Sequence, residues 1–172
     1  ILGRVRAALG RRSIDPATIL NAASTLLADL PSTRPKPPAS SLAEAFIARV
    51  TSPKVAATAE RIESPAALPS AVAKYLRERD LPKTIALQPL ARLRSLDWSG
   101  FEVRASVAPD ESAAVGMAKW GIAETGSLVF QSGSDAPGLA NFRPLHHIVL
   151  LRSADILADL EDYAALIAGQ PM

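Results

Sequence analysis

Cysteine is absent from the 172-residue sequence, so the chain can form no disulfide and supplies no thiolate to zinc or to an iron–sulfur cluster. Histidine is nearly absent, because only His146 and His147 are present. Neighbouring residues of a strand point to opposite faces, which is poor spacing for a metal site. The sequence therefore predicts no metal site, and any cluster chemistry is expected on another protein.

An excess of charge of one sign is also missing. The 19 basic and 17 acidic residues leave a formal charge of +2, which gives little reason to expect nucleic acid as the main partner. No apolar run approaches the ~20 residues that cross a bilayer, and no signal-peptide pattern is present, so we expect a cytoplasmic protein without a membrane span. Neither GxGxxG nor GxxxxGK[ST] occurs, and neither dinucleotide nor P-loop nucleotide binding is predicted.

Residues 1–40 are predicted to form a helical N-terminal arm with a proline-rich connector. Apolar residues recur at helical spacing over 1–9, and Asp15 before Pro16 is a typical N-cap with proline at the first position of a second helix. Four prolines in 31–38 exclude regular helix there and favour an extended connector. We expect the arm to dock either on the body of the chain or on another subunit, which allows a homo-oligomer.

Residues 41–172 alternate helical patterns with short apolar runs. Ser41 and Glu44 have the spacing of a capping box, which predicts a helix start, and a last helix is predicted from Ile156. Strands are predicted at 55–59, 84–87, 101–103, 115–117, 128–131 and 148–151. This alternation favours an α/β fold with a central, largely parallel sheet flanked by helices.

The stretch 121–130, GIAETGSLVF, holds most of the candidate site residues. Its polar turn lies at the end of a strand, where α/β proteins place their ligands. Glu124 is either a general base or nucleophile, or a carboxylate that only accepts hydrogen bonds from turn amides. Thr125, Gly126 and Ser127 either cradle an anion with converging N–H and hydroxyl groups or merely satisfy nearby backbone.

A second polar stretch, NFRPLHH, precedes the strand predicted at 148–151. Asn141 either orients a substrate carbonyl or caps the following turn. We expect His147 to point at the AETGS turn, where a neutral imidazole can hydrogen-bond Glu124 or shuttle a proton. His146 is expected on the opposite face, at the edge of the core. The pair Glu124 and His147 thus forms the candidate catalytic set.

Several segments resemble the LUD-domain family, and within it the lactate-utilisation protein C (LutC) group. They are AETGSLV, QSGSDAPGLANF and PLHHIVLL, with ILGRVRAALG at the start and ADILADLEDYAALI near the end. The resemblance implies a LUD domain over 41–172, with the NagB/RpiA/CoA transferase-like fold shared by glucosamine-6-phosphate deaminase, ribose-5-phosphate isomerase and CoA transferases.

The same resemblance implies a role in the iron–sulfur-dependent system that oxidises L-lactate to pyruvate. In that system the clusters lie on partner subunits, so this chain would bind no cofactor and would carry a site for a small carboxylate or phosphate-bearing ligand. Two other functions stay open: a stand-alone enzyme that acts on a CoA thioester or a sugar phosphate through Glu124, and a module that senses a small carboxylate. The residues alone do not decide whether the chain is an enzyme.

Overall fold

A computed structural model describes residues 3, 4, 7, 15–29, 41–133 and 138–168. The chain divides into two compact units, residues 1–36 and residues 37–172. The described helices are α1 (Pro16–Ala28), α2 (Leu42–Val50), α3 (Leu68–Arg77), α4 (Ala91–Arg94), α5 (Leu139–Phe142) and α6 (Leu160–Ile167). The described strands are β1 (Thr84–Leu87), β2 (Glu102–Arg104), β3 (Ala113–Met117), β4 (Trp120–Ile122), β5 (Ser127–Val129), β6 (His146–Leu150) and β7 (Ile156–Leu157).

The first unit contains α1, which begins at Pro16 as predicted. Asp15 has the extended backbone of an N-cap residue, but its side chain makes no capping hydrogen bond. The side chains of α1 are exposed. The predicted connector at 31–38 and most of the predicted helix at 1–9 lie outside the described residues. With 13 residues α1 is the longest described helix, and no described helix is long and apolar enough to cross a bilayer.

The second unit is built around a four-stranded parallel sheet with the strand order β2-β1-β3-β6. One face of this sheet packs against α3 and α4 in the larger hydrophobic cluster, where Leu76, Ile85 and Leu93 are fully buried. A parallel sheet needs such cover because its strands join through crossover connections. The predicted α/β fold with a largely parallel sheet flanked by helices is confirmed.

The second unit also contains a three-stranded sheet with the strand order β5-β4-β7. β4 pairs with β5 antiparallel and with β7 parallel. Helix α2 packs on this sheet through the second hydrophobic cluster, which includes Phe46 and Val50. The predicted capping box fixes the start of α2, because the Ser41 hydroxyl accepts from the Glu44 N–H while the Glu44 carboxylate accepts from the Ser41 N–H.

Two predicted elements are wrong. The segment 55–59 forms no strand, because the N–H groups of Val55 and Ala56 both donate to the Ser52 carbonyl and close a turn after α2. The last helix does not begin at Ile156, which belongs to β7. It begins at Leu160, where the Asp159 carboxylate caps α6 by accepting from the Asp162 N–H at 2.9 Å. The segment at Ile156 is apolar enough for either structure, and its pairing with β4 decides.

Candidate functional site

The parallel sheet places a buried polar cluster where β1 and β3 end. β2 lies on one side of β1 and β3 on the other, and ligands of open α/β sheets bind at the carboxyl ends of strands at such a switch point. Gln88 follows β1 directly, is buried, and its Oε1 accepts a hydrogen bond from the Met117 N–H at 2.7 Å. Main-chain pairing of Gln88 N–H with the Val115 carbonyl extends the ladder beyond β1.

Gly116 makes room for two polar groups at this point. The position that a Cβ of residue 116 would take lies 3.0 Å from Gln88 Oε1 and 3.3 Å from His147 Nε2. The register explains the meeting, since His147 pairs with Ala114 and therefore shares a face with Ala114 and Gly116. Small residues on β3 thus allow the imidazole of β6 to lie across the sheet toward the end of β1.

His147 is held as a neutral imidazole. Its ring packs against Phe130 with a centroid separation of 5.4 Å and an interplanar angle of 31°. Burial lowers the pKa of His147 below its ordinary value of 6.5, because a low-dielectric environment disfavours the charged form. No hydrogen bond to this ring occurs within the described part of the chain. A neutral ring offers one N–H donor and one acceptor to a ligand.

Helix α5 carries Asn141 to the same region. α5 packs against β3 and β6, the two strands that supply Gly116 and His147. The Asn141 N–H donates to the Gly138 carbonyl at 3.1 Å, so its backbone belongs to the turn that opens α5. Asn141 therefore lies on an element that packs against the two strands of the polar cluster. Residues 134–137, in the loop that precedes α5, lie outside the described residues.

His146 occupies the other face of the sheet, as the alternation of strand residues predicts. Its Nδ1 lies 3.0 Å from the Tyr75 hydroxyl of α3, and the two rings meet edge to face at 5.8 Å. The guanidinium of Arg79 covers the Tyr75 ring at 3.8 Å. His146 is thus tied to the core side of the sheet, away from Gly116 and His147.

The AETGS stretch forms the turn of the β4–β5 hairpin. The Gly126 N–H donates to the Ile122 carbonyl at 2.8 Å, and Gly126 has a φ of +72°, which favours glycine. The Thr125 hydroxyl donates to the Ser127 hydroxyl at 2.8 Å and accepts weakly from the Ser127 N–H. The two hydroxyls therefore bond one another at the turn.

Glu124 is anchored through its main chain. Its N–H donates to the Ala158 carbonyl at 3.0 Å, and its carbonyl accepts from Arg49 Nε of α2 at 2.6 Å. The half-buried Glu124 carboxylate makes no hydrogen bond or ion pair in the part of the chain that is described. Arg49 brings a cation to this turn, and its guanidinium is exposed.

The residues predicted from the sequence therefore lie in two separate regions, the polar cluster at Gly116 and the β4–β5 hairpin turn. Phe130, which packs on His147, follows the end of β5 that pairs with Trp120. Glu124 lies beyond the other end of the hairpin, so roughly 10 Å of strand separates the two regions at ~3.4 Å per residue. The structure brings Gln88, Gly116 and His147 together, and it leaves Glu124 with Thr125 and Ser127 at the hairpin turn.

Two residues of these places were missed by sequence reasoning. Gln88 had a signal, because a polar residue between an apolar strand and Pro89 stands at a strand end, where ligands bind. Arg49 had none, since its contact joins residues 75 positions apart. Among the described residues, no three His, Asp or Glu side chains are grouped to hold a metal ion.

Comparison of the sequence and the fold with known proteins identifies the family of this chain. A family model for the LUD domain matches residues 53–172, which include Gln88, Gly116, His147 and Glu124 but not Arg49. The fold is similar to the crystal structure of a DUF162 family protein from Deinococcus radiodurans, with a TM-score of 0.59 and 20% identity over 74% of this chain and 78% of that one. A search of curated proteins found no match. The chain belongs to the LUD-domain family.

Proposed function

We propose that this chain is a LutC-like, non-redox component of the system that oxidises L-lactate to pyruvate, and that it holds a small carboxylate. The observation that carries the proposal is the approach of Gln88 Oε1 and His147 Nε2 over Gly116 at the switch point of a LUD domain. The imidazole can donate to a carboxylate, and Gln88 Oε1 can accept from the hydroxyl of a hydroxy-carboxylate.

The proposal assigns the transfer of electrons from L-lactate to partner subunits. A chain without cysteine has no thiolate for an iron–sulfur cluster, and its described residues show no other grouped metal ligands. The residues present therefore do not fit a cluster, and no step of the proposal passes through one here. In the proposed complex this chain positions the carboxylate, while iron–sulfur subunits accept the electrons.

His147 gives the proposed site a characteristic proton linkage. The imidazole is neutral when the site is empty, because burial lowers its pKa. A bound carboxylate favours the protonated ring and raises that pKa, so binding takes up a proton and tightens as the pH falls. Calorimetric titration with L-lactate and with pyruvate, in buffers of different ionisation enthalpy, measures this uptake directly.

The adjacent histidines supply a matched pair of variants. His147→Gln removes the ring at the cluster, and His146→Gln changes the neighbouring position on the opposite face, where the ring bonds Tyr75. We expect His147→Gln to weaken L-lactate binding roughly tenfold, the scale of one lost hydrogen bond to a charged ligand, and His146→Gln to leave binding unchanged. Equal effects, or binding without proton uptake, would contradict the assigned site.

The partner assignment has its own test. We expect the chain to copurify with cysteine-rich iron–sulfur proteins from lactate-grown cells, and its loss to abolish growth on L-lactate while growth on glucose continues. Copurification with no such protein, together with normal growth on L-lactate, would refute the role in lactate use. That result would leave the ligand measurements above standing by themselves.

A stand-alone enzyme that uses Glu124 is the second candidate function. The observation in its favour is that the Glu124 main chain is fixed at both ends, while its carboxylate makes no bond in the described part of the chain. Such a carboxylate can attack a CoA thioester or act as a base toward a sugar phosphate. This enzyme predicts turnover that Glu124→Gln abolishes and that needs no partner protein.

A further inference from the structure

A cleft of about 380 Å³ opens beside the carboxyl ends of β1 and β2, apart from the cluster at Gly116. Its size is within the range of small-molecule sites, about 300–1,000 Å³. Leu87 ends β1 and Val103 belongs to β2, so the cleft lies at the edge where parallel sheets bind ligands. The residues that line the cleft include Leu87, Arg94, Leu96, Trp98, Val103 and Arg104.

The apolar wall of this cleft is built around Trp98. Trp98 is buried, and its Nε1–H donates to the Leu93 carbonyl at 2.7 Å. Phe101 meets the indole edge to face at 5.3 Å, which fixes the ring from a second side. Val103 of β2 also lines the cleft and is 43% exposed, so a ligand in the cleft would cover this apolar side chain. The wall therefore suits a ring or a branched aliphatic group.

The two arginines of the cleft differ in what they already bind. Arg104 donates to the Glu102 carboxylate at 3.2 Å and lies 3.6 Å from the buried Glu111 carboxylate. Arg94 is exposed, and its guanidinium makes no hydrogen bond or ion pair within the described residues. Arg94 is thus the group that can bind an anion through bidentate hydrogen bonds.

The cations of the lining limit the charge of that anion. Arg104 is already paired with the Glu102 and Glu111 carboxylates, so Arg94 alone is available to balance a negative charge in the cleft. One available guanidinium balances one carboxylate. The chemistry of the lining thus selects a monoanion with an apolar body.

We propose that this cleft binds an amphipathic monocarboxylate, with its ring or branched chain against Trp98 and Val103 and its carboxylate on Arg94. This site goes beyond the proposed lactate-binding role, because lactate lacks an apolar body large enough to reach the indole wall. The two sites share no side chain, so each can be tested without the other.

The test uses fluorescence of Trp98 in the full chain. Trp120→Phe leaves Trp98 as the only tryptophan, since the sequence contains two. Cyclohexanecarboxylate is the probe, cyclohexylmethanol is its neutral analogue and phenyl phosphate is the dianion. We expect saturable quenching by the carboxylate, and an affinity lower by about tenfold for the alcohol, which cannot pair with Arg94.

Helix α4 provides the control variant, because Arg92 and Arg94 are both exposed but only Arg94 lines the cleft. We expect Arg94→Gln to weaken binding about tenfold and Arg92→Gln to leave it unchanged. Val103→Phe fills the cleft and should abolish binding while the circular dichroism spectrum stays native. Equal weakening by both arginine variants, tighter binding of phenyl phosphate or the alcohol, or no saturable quenching would each overturn the proposal.

Discussion

Substitution of Gly126 by alanine tests how firmly the hairpin turn is held. Gly126 has a φ of +72°, and a Cβ at this position would lie 2.9 Å from Arg49 Cγ and 3.0 Å from Val50 Cγ1. Two costs therefore add: the left-handed backbone, about 1–2 kcal/mol for a residue with a Cβ, and the overlap with α2, about 1–3 kcal/mol.

Gly100 separates these two costs. It has a similar φ of +81°, but no heavy atom lies within 4 Å of the position of its Cβ. Gly100→Ala should thus lower the free energy of unfolding by about 1–2 kcal/mol, and Gly126→Ala by about 2–5 kcal/mol. The difference between the two variants reports the packing of α2 on the turn that carries Glu124 and Thr125.

Urea unfolding, followed by far-ultraviolet circular dichroism, measures both variants under the same conditions. The slope of free energy against urea should stay constant, because neither change alters the surface exposed on unfolding. If Gly126→Ala costs no more than Gly100→Ala, then α2 does not press on the turn and the contact of Arg49 with this hairpin is not formed. That result would refute the anchoring of Glu124 described above.

Three further predictions concern stability. Burial lowers the pKa of His147, so the unfolded chain takes up the proton at higher pH than the folded chain; the free energy of unfolding should fall as the pH drops below the ordinary histidine value, and His147→Gln should flatten this part of a pH series of urea titrations. Leu76→Ala removes a fully buried side chain of the larger cluster, and should lower the urea-derived free energy of unfolding by about 2–5 kcal/mol, whereas Leu76→Met should lose less than about 1.5 kcal/mol. Ser41→Ala breaks the capping box of α2 and should cost about 0.5–2 kcal/mol in the same assay, whereas Ser41→Asp, which restores a cap, should recover most of that loss; equal costs for the two would contradict the capping role.

Local sequence signals predicted the elements that local interactions determine. The capping box of Ser41 and Glu44 is present at the predicted position, because it depends on residues three positions apart. The apolar run before Gln88 forms the predicted strand, although it does so by pairing with β2 and β3. The strand expected at 55–59 is wrong because a local turn closed by the Ser52 carbonyl forms there instead. The helix start expected at Ile156 is wrong because a long-range contact overrides the local pattern. Ile156 is equally suited to helix and strand, and its pairing with Gly121 decides.

The candidate site was predicted in part. The alternation of β6 correctly separates His146 from His147, since strand geometry alone sets the faces. The expected approach of His147 to the AETGS turn depended on how that turn joins the sheet. The turn joins β4 to β5 in an antiparallel hairpin, and the length of these strands separates Glu124 from the imidazole of His147. Gln88 could be placed at a strand end from the sequence, but its meeting with Gly116 and His147 depends on register between distant strands, which no spacing in the sequence reveals.

The position of helix α2 determines where this chain can be truncated. The helix precedes residue 53, where the family match begins, yet it supplies Phe46 and Val50 to the second hydrophobic cluster and Arg49 to the hairpin turn. A fragment cut at the family boundary would expose the apolar side of β4 and β7 to water and release the tether on Glu124. Recombinant truncations should therefore start no later than Ser41, or their aggregation and lost activity will be mistaken for properties of the domain itself.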